Sequence, residues 1–157
     1  MHSLTRFRDD ERGVQLVELA IVLPIMLMLF AGIAEFGRYF YEYSTLAKGA
    51  RLGARYLASK SVTSGTDWEG PAKNLVVYGN IGGTGDPILP GLAPGNVDVQ
   101  YAGGPAGLPD TVTVTIIDYE HESLFDLGGF LNSDSLSLNV DVKPSVTMRF
   151  LLTQPSV

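Results

Sequence analysis

Glu18 is the residue of this chain whose neighbours give it most to do. It stands four residues after Val14 and five after Gly13, just before an apolar run that continues unbroken from Leu19 to Ala34. A cut between Gly13 and Val14 would free an amine at Val14, so each copy would carry a cation and a carboxylate one helical turn apart on an otherwise greasy helix. Two copies offset along their axes could pair those charges, and a carboxylate at the edge of an apolar medium needs such a partner. The chemistry on offer is proteolytic processing at Gly13-Val14 followed by ion pairing through Glu18.

A second group, Asp118-Tyr119-Glu120-His121-Glu122, places an imidazole among carboxylates, which is the composition of a metal site or an acid-base pair. Consecutive residues leaving a strand point in different directions, and the other histidine is His2, far away in sequence. The segment therefore reads as a solvated loop, and no metal ligand, cofactor or catalytic residue is assigned. The Gly-Gly pairs at Gly82 and Gly103 lack the strand-before, helix-after context of a phosphate loop and read as turns. No serine sits in a nucleophile elbow. The chain has no cysteine, which excludes structural disulfides, thiolate catalysis and cysteine zinc sites.

The elements that must carry Gly13, Val14 and Glu18 follow from hydropathy. Val14 to Ala34, as one helix, would be about 31 Å long against a hydrocarbon core of about 30 Å, so the segment can span a bilayer. Pro24 lies inside it and removes the hydrogen bond to the Ala20 carbonyl, so a kink or local opening is expected there. A secretory signal peptide, with Gly32-Ile33-Ala34 as its cleavage site, is the rival reading. Glu18 at the start of the run, the length of the run, and the helical pattern that continues beyond it all weigh against that rival. Charge counting leaves the orientation open, since Arg6, Arg8 and Arg12 precede the span while Arg38, Lys48, Arg51 and Arg55 follow it.

Helical periodicity persists past the span. Phe36, Tyr39, Phe40, Tyr43, Leu46, Ala47, Ala50, Ala54 and Leu57 form one stripe, with Arg38, Glu42, Lys48, Arg51 and Arg55 off it. The aromatic members suit both an interfacial belt and a core, and a mixture is expected. Ser59 to Gly70 is loop-like. A short helix through Ala72, Leu75 and Val76 then stops at Gly79, with Asp67 as its cap, and a strand over Leu75 to Tyr78 is the rival. Ile81 to Asn96, rich in Gly and Pro, is irregular.

The remainder alternates with period two. Val97, Val99 and Tyr101 form one strand, and Val112, Val114 and Ile116 another. The apolar residues Leu136, Leu138, Val140, Val142, Val146, Met148, Phe150 and Leu152 are all even-numbered. A tight hairpin at Lys143-Pro144 would break that parity, so one long strand is expected, with Pro144 marking an edge or a bulge. The architecture expected is α+β, with one long helix packed on a small antiparallel sheet. Small residues Ala47, Ala50 and Ala54 would let the helix lie close to the strands.

Charge is unevenly shared. Residues 1 to 60 carry eight Lys/Arg and six Asp/Glu, whereas residues 61 to 157 carry three and eleven. Such an acidic C-terminal part has nothing with which to release counterions from phosphates, and no nucleic acid is expected as a partner. No small-molecule substrate is evident either.

Taken together, Arg12-Gly13, Glu18, Leu23-Pro24, Gly32-Ile33-Ala34-Glu35-Phe36-Gly37-Arg38 and Ala50-Arg51-Leu52-Gly53-Ala54-Arg55-Tyr56 resemble the TadE-like family of minor pilins or pseudopilins of the tight-adherence (Flp, type IVb) pilus. The resemblance covers about residues 12 to 58, and Leu19 stands where Flp-type processing motifs favour an aromatic. It implies a pilin-like plan: residues 1–13 a cytoplasmic leader, 14–34 a transmembrane helix, 35–60 its continuation, and 61–157 a periplasmic β-rich domain. It also implies cleavage between Gly13 and Val14 by a prepilin peptidase, a recognition or packing role for Glu18, and no catalytic residue. The partners implied are other pilins, inner-membrane pilus-assembly proteins and membrane lipid, with the protein in the bacterial inner membrane or in the pilus. The competing reading is a single-pass anchored periplasmic domain that binds a ligand or scaffolds a secretion machine without joining a filament.

Overall fold

The computed structural model describes residues 10–60, 67–104, 109–124 and 139–151. The expectations for residues 1–9, for Leu136 and Leu138 and for Leu152 lie outside the described residues. Helix α1 runs from Asp10 to Ala58, 49 residues with Pro24 inside it. Helix α2 is Glu69–Tyr78, a 3-10 turn occupies Pro94–Asn96, and among the described residues the strands that follow are β1 Val97–Ala102, β2 Thr111–Ile116, β3 Glu120–His121, β4 Val140–Asp141 and β5 Ser145–Arg149. The chain divides into two compact units, Met1–Arg38 and Tyr39–Val157.

The second unit is α+β, built from the last twenty residues of α1, the whole of α2 and two antiparallel sheets ordered β1-β2-β5 and β3-β4. Its core joins Leu46, Ala50, Ala54 and Leu57 of α1, Ala72, Val76 and Val77 of α2, and Val112, Val114 and Ile116 of β2. The C-terminal half of the long helix is thus packed on the sheet, as its apolar periodicity requires. Helix α2 begins where Asp67 Oδ1 accepts hydrogen bonds from the Glu69 and Gly70 amides, at 2.9 and 3.3 Å. It ends at Gly79, whose φ of 70° is the left-handed conformation that glycine adopts without a Cβ penalty, with its amide on the Leu75 carbonyl. The helix reading over Leu75 to Tyr78 therefore holds against the strand. A tyrosine nearby feels the same carboxylates: Tyr101, stacked on Phe150, has its hydroxyl pushed up to about 12, by burial first and then by the charge and hydrogen bonding of Glu69 and the charge of Asp67.

Three sequence expectations are corrected. The long C-terminal strand is two strands in different sheets, because Pro144 has no amide to continue a ladder and the chain changes sheets across Val142-Lys143-Pro144. Parity nevertheless survives the break. Val142, Pro144 and Phe150 are buried and Val146 and Met148 half-buried, while Ser145, Thr147 and Arg149 face out. The Pro144 carbonyl still accepts from the Ile116 amide at 3.0 Å, and β5 is an edge strand, as its proline suggested. Val140, expected inside, is exposed.

The second correction concerns the buried face of α1. Phe36, Phe40 and Tyr43 are exposed, and the face turned inward carries Glu42, Leu46, Gly49, Ala50, Gly53, Ala54 and Leu57. Glycines decide this orientation. A Cβ built on Gly53 would lie 2.5 Å from Val76 Cγ2, and one on Gly49 would lie 3.1 Å from the Val76 carbonyl oxygen. Helix α2 crosses α1 where only hydrogen atoms stand in the way, so the small residues serve a helix-helix contact as well as the sheet.

The third correction is His121. It is 1% exposed, on β3, and is not part of a solvated loop. Inward positions on β2 are even-numbered, yet the buried residues at β3 are His121 and, just before the strand, Tyr119. The switch occurs at Asp118, whose φ of 52° makes it the non-glycine residue with positive φ among those described. Aspartate is one of the few side chains that visits this region at low cost. Asn96 holds the corner, donating from Nδ2 to the carbonyls of Ile117 and Asp118 at 3.2 and 2.9 Å.

Candidate functional site

Gly13, Val14, Glu18 and Pro24 all lie on α1, in the Met1–Arg38 unit. Around them the helix is apolar on every side and uncovered. Val14 is 65% exposed, Leu29 63% and Ile33 68%, and no part of the most apolar window is buried inside the protein. A helix that is apolar all round has no polar face to give to water and belongs in lipid or among other apolar helices. This one is long and apolar enough to cross a membrane, with a mean hydropathy of 2.5 over its best window. Gly32 and Gly37 have nothing within 4 Å of the position a Cβ would take, so helical neighbours can approach closely there. The apolar run ends at a charge pair within the helix, Arg38 to Glu35 Oε1 at 3.3 Å. Glu18 is exposed in the helix one turn beyond Val14.

The buried polar group that sequence reading missed is in the second unit. Glu42 of α1 reaches His121 of β3, Oε2 to Nδ1 2.7 Å, and the Tyr39 ring meets the imidazole edge-on at 5.6 Å. Such a pair ties the short β3-β4 sheet to the helix. A single carboxylate with a single imidazole falls short of a metal site, and among the described residues no group of three or more potential ligands converges. Glu42 at helical spacing from Leu46, Gly49 and Gly53 was the available signal, hidden because a lone Glu reads as a solvent-facing residue.

Residues 13–55 match the TadE-like protein family. This family is pilus-related and structural in character. The TadE-like segment begins at Gly13, takes in the whole membrane-length run, and continues through Glu42, Gly49 and Gly53 to Arg55, so it is almost all of α1 and stops short of α2 and both sheets. Its end falls in the part of the helix whose inward face is packed, which joins the apolar half and the core-forming half in one recognisable unit. No curated protein and no solved structure compared with the chain matches it.

Proposed function

We propose that this protein is a minor pilin or pseudopilin-like subunit that takes part in assembling a tight-adherence (Flp-type) pilus. The observation that carries the proposal is the TadE-like match beginning at Gly13, on a helix whose run from Leu19 to Ala34 is apolar throughout. In this reading residues 14–34 cross the inner membrane, the leader before Gly13 is cytoplasmic, and the unit beyond the span is periplasmic. Other pilins, the inner-membrane assembly proteins and membrane lipid contact the apolar helix. A prepilin peptidase cuts between Gly13 and Val14.

Helical backbone supports a specific requirement of that cut. Gly13 and Val14 belong to α1, whereas a protease holds its scissile bond extended, so the first turns must unwind. Glycine lowers the cost of unwinding, being about 1 kcal/mol less favourable than alanine within a helix. The mature protein is expected to begin at Val14, and Gly13→Leu to retain its leader. N-terminal sequencing of protein from peptidase-positive cells decides the matter, and a mature start at Glu35 would instead mean an ordinary signal peptide.

Processing would place an amine at Val14 one turn from Glu18, about 6 Å along the axis. Glu18→Gln keeps the shape and removes the charge. The variant is expected to insert in the membrane at the wild-type level and to lose co-purification with its pilin partners. Wild-type pilus formation and co-purification in Glu18→Gln would leave the carboxylate as a residue resting at the membrane edge, helped only by the helix N-terminus at about 0.3 to 1 kcal/mol.

A further inference from the structure

The Tyr39–Val157 unit is electrically two-sided. On its part of α1, Lys48, Arg51 and Arg55 are exposed, at helical spacing, with exposed Leu52 between them. No carboxylate pairs with any of these three among the described residues. Glu42, which holds β3 through His121, lies nine residues before Arg51, about two and a half turns, so the basic ridge is on the side of the helix away from β3. Beyond the helix the balance reverses: residues 61–157 carry three Lys/Arg against eleven Asp/Glu. On the β3-β4 side, Asp118, Glu120, Glu122 and Asp141 are all exposed. Glu120 and Asp141 sit directly opposite each other in the antiparallel pair, an arrangement that is unfavourable for like charges, and Lys143 Nζ lies 2.7 Å from Asp141 Oδ2.

From this we infer that the Lys48-Arg51-Leu52-Arg55 ridge docks on the acidic β3-β4 face of a second copy of the chain. The two surfaces have opposite charge and cannot meet within one molecule, since the body of α1 lies between them. Each copy has one of each, so the contact is head-to-tail. Contacts of that type do not close on themselves in pairs and extend into rings or filaments. The inference does not depend on cleavage at Gly13 or on the pilus reading, because an anchored domain that is never processed would present the same two faces. An acidic protein surface is favoured over anionic lipid because the complementary surface is present in every copy.

Site-specific cross-linking tests it without background, since the chain has no cysteine. Two differently tagged full-length copies, one with Leu52→Cys and the other with Leu124→Cys, are co-expressed, and membranes are treated with a thiol oxidant. Leu124 is exposed just beyond β3. A mixed dimer is expected, with Thr147→Cys on the exposed face of β5 giving about tenfold less in place of Leu124→Cys, because a wrong face sets charges against each other or leaves them unmatched. Adding Arg51→Glu to the first copy should abolish the cross-link, and adding Glu120→Arg to the second should restore it. That restoration separates lost recognition from lost folding. Oxidation at about 1 M salt, where the screening length falls to about 3 Å, should also abolish it. Equal cross-linking through Thr147→Cys would overturn the inference. So would a cross-link that survives Arg51→Glu, or one not restored by Glu120→Arg. Loss of binding to phosphatidylglycerol vesicles in Arg51→Glu, with the cross-link unchanged, would transfer the ridge to the membrane and equally overturn it.

Discussion

Replacing His121 with alanine is expected to lower the stability of the Tyr39–Val157 unit by about 3 kcal/mol. Two effects add. The imidazole is almost wholly buried, so its removal opens a cavity beside Tyr39. It also takes away the Nδ1 group 2.7 Å from Glu42 Oε2, and Glu42's side chain is itself only 13% exposed. A half-buried carboxylate that loses a hydrogen-bond partner cannot turn to water without moving the helix. Domains of this size have total stabilities of about 5 to 15 kcal/mol, so the loss is a large fraction of the whole. It should lower the midpoint of thermal unfolding by about 10 °C, measured by circular dichroism of the full chain in detergent. The double variant Glu42→Met/His121→Leu is expected to recover most of that, because replacing both polar partners with apolar ones of similar volume removes the need for desolvation. A His121→Ala midpoint within a degree or two of wild type would show that β3 and β4 are not held by this pair.

Gly53→Leu is the second large effect, expected at about 3 kcal/mol or more. The first side-chain carbon alone would stand 2.5 Å from Val76 Cγ2, well inside contact distance. Val76 cannot retreat, being fully buried and branched at Cβ, with α2 behind it and Val114 of β2 close by. Relief must therefore come from moving α2 off α1, which also strips contacts from Ala72 and Val77. Gly53→Ala isolates the crossing from bulk: helix propensity would favour it by about 1 kcal/mol, and overpacking at this distance opposes it by about 1 to 3 kcal/mol. Net destabilisation of Gly53→Ala, with a neutral or stabilising result at Gly37→Ala where nothing lies within 4 Å, would locate the effect in the crossing. Equal midpoints for the Gly53 variants and wild type in urea or thermal unfolding would contradict the close approach of the two helices.

Both variants act on the half of α1 that forms the core. From Leu19 to Ala34 it is apolar all round, and from Leu46 to Leu57 one face is buried in protein while Lys48, Arg51 and Arg55 are exposed. The TadE-like match runs through both halves.

Local signals were enough for much of this. The apolar run from Leu19 to Ala34, the Asp67 cap and Gly79 stop of α2, the alternation of β1 and β2, and the even parity from Val142 to Phe150 are all set by neighbours in the chain. Hydropathy, capping and the period of two depend on residues only a few positions apart, so they can be read without knowing the fold.

Three features were decided by the tertiary structure. Which face of α1 turns inward depends on the partner it meets: aromatic residues such as Phe40 and Tyr43 were as apolar as any, but α2 approaches too closely for them, and Gly49 and Gly53 fit where they cannot. His121 is buried because Asp118 takes a left-handed conformation that exchanges the inward and outward positions between β2 and β3, and a lone aspartate does not announce that choice. The pairing of Glu42 with His121 joins residues 79 apart in the chain. No periodicity links positions so distant; only the folding of β3 onto the helix brings the imidazole to the carboxylate and makes burial of both affordable.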